Sequence, residues 1–212
     1  MEQVQRPNDA VLAVLAPAYA PCAGLRGGCS SMRWAPKRGH VPRGFCGATG
    51  SLDEVRLVLV CAEPGDPHES EAHSSTAPME SVSEYAYRCF RDGKDLFHRN
   101  VRAILDMCFP GLPFDAQLRV AWFTDSVLCS ARVECGGVPA SAWRECRRRY
   151  LEPQLALFPN AVVAALGAKA RDRLEGVPGV VAAVAAAPPG CNRPEARASW
   201  QAIADQVHGR SV

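Results

Sequence analysis

Four cysteines stand where an iron–sulfur cluster would need its ligands. Cys22 and Cys29 lie in an N-terminal segment, and Cys129 and Cys146 lie on either side of the start of a predicted helix. Cluster ligands are thiolates, and four thiolates from two distant segments meet only where the fold packs the N-terminal segment against that helix. The spacing therefore predicts a cluster that fastens a ligand-bearing region, residues 1–50, to the rest of the chain.

Ten cysteines in a chain of 212 residues also bear on the cellular compartment. No apolar run approaches the roughly 20 residues of a membrane span, and residues 1–9 lack the basic-then-apolar order of a signal peptide. We therefore expect a cytoplasmic protein without a membrane partner, whose cysteines bind a metal or cluster rather than form disulfides. The remaining six are expected to be small buried hydrophobic residues: Cys46, Cys61, Cys89, Cys108, Cys135 and Cys191.

The composition is typical of one enzyme-sized domain over residues 1–212, with 48% hydrophobic and 22% charged residues. We expect this domain to act as a monomer. Its formal net charge of +2 does not by itself indicate nucleic acid. A local basic run, which a solvated helix face explains equally well, contains Arg144, Arg147, Arg148 and Arg149.

Short apolar runs alternate with helical patterns along the chain. The predicted strands are residues 56–61, 118–123, 161–166 and 180–184, and the predicted helices are residues 100–108, 141–158, 169–174 and 194–207. In the second helix Ser141 is the expected N-cap and Pro153 predicts a kink. The fold class is therefore α/β: a three-layer α/β/α sandwich with a central four-stranded parallel sheet.

Ligands of such folds bind beyond the carboxyl ends of the strands. The four segments that follow the predicted strands are residues 61–67, 124–126, 167–169 and 188–192. Residues 66–84 include a polar stretch rich in serine and glutamate, and we expect a mobile loop there, near the mouth of the site.

With these segments in view, the chain resembles the uracil-DNA glycosylase superfamily, specifically its cluster-containing family four, over residues 22–200. The resemblance rests on LVLVCAEPG at residues 57–65, TDSVLC at residues 124–129 and WRECRRRYLEPQLALFPNAVVAALGAKA at residues 143–170. It implies a uracil-DNA-glycosylase-like fold and a [4Fe-4S] cluster on Cys22, Cys29, Cys129 and Cys146. The family separates its first ligand pair by two residues, whereas six residues separate it here, so Cys46 stays open as a substitute ligand. Structural zinc is the alternative occupant of the same thiolates.

The reaction that the resemblance implies is cleavage of the bond between deoxyribose and a flipped base. Its transition state needs an oriented water or carboxylate on the sugar side and hydrogen-bond donors at the departing base. Glu63, the only carboxylate within CAEPG, is the candidate water-positioning residue, and a turn-stabilising carboxylate is the alternative. Ala62 stands where the family has a polar or acidic residue. Gly65 replaces the bulky aromatic residue that excludes C5 substituents, so nothing there would block such a substituent in the base pocket.

Asp125 is the most informative departure from the family, which has asparagine at this position. An asparagine amide pairs with uracil, whereas cytosine presents an N4 amino donor to which a carboxylate is complementary. Asp125 is thus both a catalytic-site and a base-pocket candidate, and together with Gly65 it favours a cytosine modified at C5. Hypermodified phage DNA would be a substrate distinct from the host genome, which suggests antiviral defence. Capping of the following turn is the alternative role for Asp125.

The last family motif matches least, because the usual histidine is replaced by Ala187. Either His68, His98 or Asn192 serves as the donor instead, or the histidine was removed deliberately, or the protein binds DNA without cleaving it. The expected DNA contacts are Gly167, Ala168 and Lys169 at a helix start, which is equally a tight turn, and Pro188, Cys191, Asn192 and Arg193 on a groove-entering loop. Phe97 is either a stacking platform for the base or a core residue.

Two classes of function follow from the sequence. The first is a DNA glycosylase that acts on a pyrimidine in single- or double-stranded DNA, with modified cytosine as the first candidate substrate and uracil, in base excision repair, as the second. The other is a catalytically silent protein that binds modified DNA.

Overall fold

The computed structural model describes residues 4–68, 71, 73 and 78–210. Of the loop expected over residues 66–84, residues 69, 70, 72 and 74–77 lie outside this described part. The last residues of that stretch are helical, because helix α2 (Pro78–Asp92) begins there.

The protein is an α/β protein built on a five-stranded mixed sheet. Its strands are β1 (Cys46–Gly47), β2 (Leu57–Cys61), β3 (Ala121–Asp125), β4 (Val162–Leu166) and β5 (Val181–Ala183), in the spatial order β1-β3-β2-β4-β5. The last four run parallel, and β1 pairs with β3 in the antiparallel direction. The α/β class is confirmed, but the prediction of a four-stranded, wholly parallel sheet is wrong. A two-residue edge strand has no apolar run from which it could be recognised.

Two hydrophobic cores cover the two faces of the sheet, because successive strand side chains point to opposite faces. Val58, Val60 and Trp122 belong to the first core, and Leu57, Leu59 and Phe123 belong to the second. Buried side chains of α1 (Asp9–Leu15), α5 (Ala140–Cys146) and α7 (Ala168–Arg173) join the first core. Those of α3 (Leu96–Cys108), α4 (Phe114–Val120) and α8 (Ala196–Gly209) join the second.

The start of the second predicted strand is wrong. Residues 118–120 form the last turn of α4, and the strand runs on to Asp125. Pro113 fixes the N-cap of that short helix, and Leu118 is buried from the helix rather than from the strand. The extension has a functional consequence, since it makes Asp125 the final residue of the strand.

The second predicted helix is continuous but changes its hydrogen bonding midway. Helix α5 passes into a π-helical turn at Arg147–Leu151, and α6 (Glu152–Ala156) follows. Pro153 donates no hydrogen bond and its ring crowds the preceding turn, which explains the wider turn just before it. The N-cap is Pro139 and not Ser141. Within the described ranges, no helix combines the length and the apolarity needed to cross a lipid bilayer.

Candidate functional site

The four cysteines of the predicted cluster lie together. Cys22, Cys29, Cys129 and Cys146 are all buried and line one pocket, although the first and last are more than a hundred positions apart. Other lining residues are mainly apolar, with Tyr150 and Arg149 from the π-helical turn. The fold therefore brings the N-terminal segment against the helix as the spacing required.

Close backbone contacts hold the N-terminal segment in this position. The Ser141 hydroxyl donates to the Gly28 carbonyl at 3.1 Å, and a Cβ at Gly28 would stand 2.8 Å from the Ser141 carbonyl oxygen. A Cβ at Gly24 would stand 3.1 Å from the sulfur of Cys29 and 3.4 Å from that of Cys22. Glycine at both positions lets the segment approach α5 closely.

Cys22 receives two hydrogen bonds that suit a thiolate. The Tyr150 hydroxyl lies 3.1 Å from its sulfur, and the backbone N–H of Gly24 lies 3.3 Å away. Burial, followed by the neighbouring Cys22, raises the pKa of Cys29 to about 11. Burial also raises the pKa of Cys129 to about 12, with Cys22 and Cys29 adding to the shift. Four crowded thiolates need a positive centre to compensate their charge, as a metal or cluster would.

Within the part of the chain that the structure describes, no group of three or more metal-binding side chains converges on one point as a single ion requires. The four thiols line a shared pocket, and four cysteine thiolates are a donor set that both iron–sulfur clusters and structural zinc use. Cys46 lies apart from this group. It belongs to the core on the other face of the sheet, and Cys89 and Asp115 are its charged or ionisable neighbours.

The carboxyl ends of β2 and β3 bring a second set of polar residues together. Cys61 and Asp125 are partners in the parallel register of these strands. Gly44 packs against the Asp125 carboxyl group so closely that a Cβ at position 44 would overlap it. Gly44 has φ +83°, a conformation that glycine adopts without strain. Asp125 is thus enclosed between the sheet edge and the N-terminal segment.

The electrostatic environment of Asp125 favours its neutral form. Burial and then the carboxylate of Glu63 raise its pKa well above the ordinary value, although Arg43 and Arg173 oppose the shift. The residue is 5% exposed, and no hydrogen bond to its carboxyl oxygens is found among the described residues. A carboxyl group with a strongly raised pKa at a strand end is a candidate for ligand binding or catalysis.

Glu63 is held by two cations on α7. Lys169 donates to Oε1, and the guanidinium of Arg173 lies 2.6 Å from Oε2. The angle to Arg173 is not that of a hydrogen bond, so Oε2 has no donor among the described residues. The Glu63 side chain is 6% exposed. Its position is therefore fixed, and both oxygens are occupied by charge contacts.

Ala62 and Gly65, which flank Glu63 in the loop after β2, have different environments. The Ala62 carbonyl accepts from the Ser126 hydroxyl at 2.6 Å and from Arg173 at 2.7 Å. Gly65 has a different environment: a Cβ there would stand 2.9 Å from the carboxylate of Glu134. An acidic side chain thus borders the position at which the sequence predicts room for a C5 substituent.

Phe97 lies in an aromatic group on the Asp125 side of the sheet. Its ring centroid is 5.8 Å from that of Phe123, two residues before Asp125, and 6.0 Å from that of Phe90. The ring is only half-buried. Its neighbour His98 donates from Nδ1 to the Asp95 carboxylate at 2.8 Å and packs against Phe90. Phe97 therefore has core contacts and an accessible part.

Two of the predicted DNA contacts have structural roles of their own. Gly167 has φ +95°, and a Cβ there would stand 3.0 Å from the Cβ of Ala185, so the tight strand-to-helix turn accounts for this glycine. The helix that begins at Ala168 has six residues. Lys169 also donates to the Gly136 carbonyl at 2.8 Å, and its side chain is 41% exposed.

The segment after β5 is a turn at the protein surface. Pro188 precedes a 3₁₀ turn at Gly190–Asn192, in which Cys191 is half-buried and Asn192 is exposed. The exposed Arg193 forms an ion pair with Glu195. Of these residues, Cys191 contacts the second core, and the polar ones face solvent.

Asp125 does not line any of three pronounced pockets in the described ranges. One is the cysteine pocket, one lies around Ser51 and Asn160, and one lies around Trp34 and Arg38. Gly44 covers one side of the Asp125 carboxyl group.

Sequence reasoning missed two buried arginines of this site. Arg43 donates to the Gly65 carbonyl, and its Nε lies 3.4 Å from the Glu71 carboxylate, with both side chains under 10% exposed. Arg173 donates to the Ser126 hydroxyl at 3.1 Å. Its spacing of four from Lys169 places both on one helix face, a signal that could have found it. Nothing in the sequence around Arg43 indicates its role.

Comparisons with known proteins do not add a relative to this picture. No protein-family model matches the chain, and no curated protein matches it either.

Proposed function

We propose that this protein is a DNA glycosylase of the uracil-DNA glycosylase type that hydrolyses the N-glycosidic bond of a flipped pyrimidine, with C5-modified cytosine as its substrate. The observation that carries the proposal is Asp125: a buried carboxyl group without a hydrogen-bond donor, at the carboxyl edge of a parallel sheet, where α/β proteins bind ligands. The residues around Gly65 and Glu63 support the same function.

Asp125 matches the Watson–Crick edge of cytosine in both of its protonation states. Ionised, it accepts from the N4 amino group; protonated, as its raised pKa favours, it also donates to N3. With uracil the ionised group would leave the O4 acceptor without a donor, whereas the protonated group could donate to O4, so the preference for cytosine belongs to the ionised form. An unpaired buried group costs about 1 to 3 kcal/mol, which is about tenfold to a hundredfold in preference.

The surroundings of Gly65 support a substituent at C5. The neighbouring carboxylate of Glu134 accepts from the backbone N–H of Asp66 at 3.0 Å and retains further acceptor capacity. A hydroxyl group or a sugar on C5 offers donors to such a carboxylate. A polar substituent of the kind found on hypermodified phage cytosine therefore suits this position, and protection against phage DNA is the proposed biological role.

Glu63 is the proposed water-positioning residue, provided that substrate binding releases it. Lys169 is partly exposed and holds one of the Glu63 oxygens. A DNA phosphate would compete with Glu63 for the partly exposed Lys169, because phosphate contacts release condensed counterions from the DNA. Phosphate binding by Lys169 would then free Oε1 to orient water at the sugar.

The four cysteines are the proposed ligands of a [4Fe-4S] cluster, which, when bound, would fasten the N-terminal segment to α5. That segment carries Gly44, which covers Asp125. The sulfur of Cys22 accepts hydrogen bonds from the Tyr150 hydroxyl and the Gly24 N–H, which hold it in the pocket. The proposed cluster thus has a positioning role at the base-reading site and takes no part in the bond cleavage.

A DNA-binding protein without catalytic activity is the second candidate function. It is favoured by Ala187, whose side chain has no donor for the departing base, and by the two cations that hold Glu63. Uracil in repair remains the alternative substrate of the enzyme. Both alternatives keep DNA as the partner.

Treatment of defined oligonucleotides with the protein and then with alkali tests the proposal. The oligonucleotides carry uracil, cytosine, 5-hydroxymethylcytosine or its glucosylated form at one position. The proposal predicts strand breaks at a modified cytosine and a shift towards uracil in Asp125→Asn. Binding without breaks would establish the silent reader, and breaks at uracil alone would establish the repair enzyme.

A further inference from the structure

Residues 33–40, which we call the basic turn, form a compact structure beside the proposed active site. A backbone bridge joins Ala35 to His40, with N–H to carbonyl distances of 2.9 and 3.2 Å, and a 3₁₀ turn at Pro36–Arg38 lies between them. Gly39 ends that turn with φ +74°. The turn is thus a preformed structural unit.

The basic turn packs directly on the loop that follows β2. A Cβ at Gly39 would stand 2.7 Å from the Cβ of Pro67, and Arg33 contacts the carboxylate of Asp66 at 2.7 and 2.8 Å. The His40 ring lies 3.3 Å from the hydroxyl of Ser130, which itself donates to the Gly65 carbonyl at 2.9 Å. The basic turn therefore lies beside the loop after β2, which contains Glu63 and Gly65.

Two cations of the basic turn are free to bind an anion. Lys37 and Arg38 are exposed, and neither has a carboxylate within 4.0 Å in the described ranges. The basic run of the long helix differs in this respect, because Arg147 pairs with Glu152 and Arg148 with Glu145. The basic turn therefore presents two exposed cations without carboxylate partners among the described residues, whereas three arginines of the helix are paired.

The surface beside these cations also offers an aromatic side chain. Arg33, Trp34, Ala35, Arg38 and His40 line an open depression. Burial and then the charges of Arg33 and Arg43 lower the pKa of His40, which is consistent with a positive potential here. Arginine or lysine beside an accessible aromatic ring is a combination that nucleic-acid-binding surfaces use for phosphates and unstacked bases.

We propose that the basic turn is a DNA-backbone contact of this protein, with Lys37 and Arg38 on phosphates and Trp34 beside a sugar or an unstacked base. The inference rests on the proposed function, because it takes DNA to be the partner. It adds a contact surface from the N-terminal part of the chain. The DNA contacts predicted from the sequence, residues 167–169 and 188–193, lie in the C-terminal part. The same segment continues to Arg43 and Gly44, so a backbone contact here would act on the cover of Asp125.

The test is the salt dependence of binding to an unmodified duplex, which needs no catalysis. Each phosphate contact contributes about 0.9 to the slope of log K against log salt concentration. The double variant Lys37→Gln/Arg38→Gln should therefore lower the slope by about 2, and each single variant should lower it by about 1. Trp34→Ala should weaken binding to a single strand without a change in slope.

The matched control is Arg6→Gln/Arg119→Gln, which removes the same charge from two arginines outside the basic turn, Arg6 beside Asp9 and Arg119 beside Glu54 just before the amino end of β3. Its slope should equal that of the natural protein. An unchanged slope in the double variant, with DNA binding intact, would overturn the basic turn as a contact and leave the proposed function standing. A natural protein that binds no DNA at low salt would overturn the proposed function itself.

Discussion

The carboxyl group of Asp125 lies against the Cα of Gly44, so that a strand end and the N-terminal segment meet at one oxygen atom. This contact joins the proposed base-reading group to the segment that carries the first two cysteines. Position 44 requires glycine for two reasons: its φ is positive, and a side chain there would overlap the Asp125 carboxyl group. The relationship leads directly to a stability prediction.

Gly44→Ala should destabilise the protein by about 2 to 3 kcal/mol, because an alanine Cβ would overlap Asp125 in a strained backbone conformation. Urea unfolding measures the loss. In an Asp125→Ala background the overlap is absent, and the cost should fall to about 1 kcal/mol, the backbone term alone. Equal losses in both backgrounds would contradict the contact.

The pH dependence of stability should report the environment of Asp125. Its folded pKa is raised, so the folded state holds the proton above about pH 4, where the unfolded carboxyl group has lost it. Its contribution is therefore fully present below the unfolded pKa and is lost as pH rises through the folded pKa. The free energy of unfolding should fall with pH relative to Asp125→Asn, and parallel curves would refute the raised pKa.

Serine at any one of Cys22, Cys29, Cys129 and Cys146 should remove iron and the brown absorbance near about 400 nm expected of a thiolate-bound cluster. Cys46→Ser is the matched control, because this thiol is equally buried but lies on the other face of the sheet. It should keep the absorbance. Loss of iron in the control, or zinc in place of iron in the natural protein, would contradict the assignment of the ligands.

Glu63→Gln separates a water-positioning role from a structural one. If Glu63 orients water, cleavage should fall by about 10² to 10⁴ while DNA affinity is kept, since a neutral amide does not activate water. If Glu63 only stabilises the turn, the thermal midpoint should fall instead and the remaining folded protein should cleave at the normal rate. The cleavage rate and the thermal midpoint are measured on the same preparation. A lower thermal midpoint with an unchanged cleavage rate would show that Glu63 does not position the water.

The sequence was sufficient for the parts of the fold that depend on local pattern. Strands β2, β4 and β5 were predicted to within one or two residues, because buried parallel strands are continuous apolar runs. The start of β3 was misplaced, since LRV fits a helix end as well as a strand. Helix α2 was missed because its first turn is polar.

The candidate site was predictable only where spacing along the chain determines it. The four cysteines meet as their positions required, and Asp125 lies at a strand end because the strand pattern leads to it. Arg43 and Arg173 were not foreseen, since each approaches Glu63 or Asp125 from a segment distant in the chain. Such pairings depend on tertiary packing, and no local pattern encodes them.

The most direct test of the central claim is mass spectrometry of the solution after the protein acts on a duplex with one glucosylated 5-hydroxymethylcytosine, and on a matched duplex with uracil. The proposal predicts that the free modified base is released, that an abasic site remains, and that uracil is released more slowly. Bound DNA with no base released, or free uracil with no modified cytosine, would contradict it.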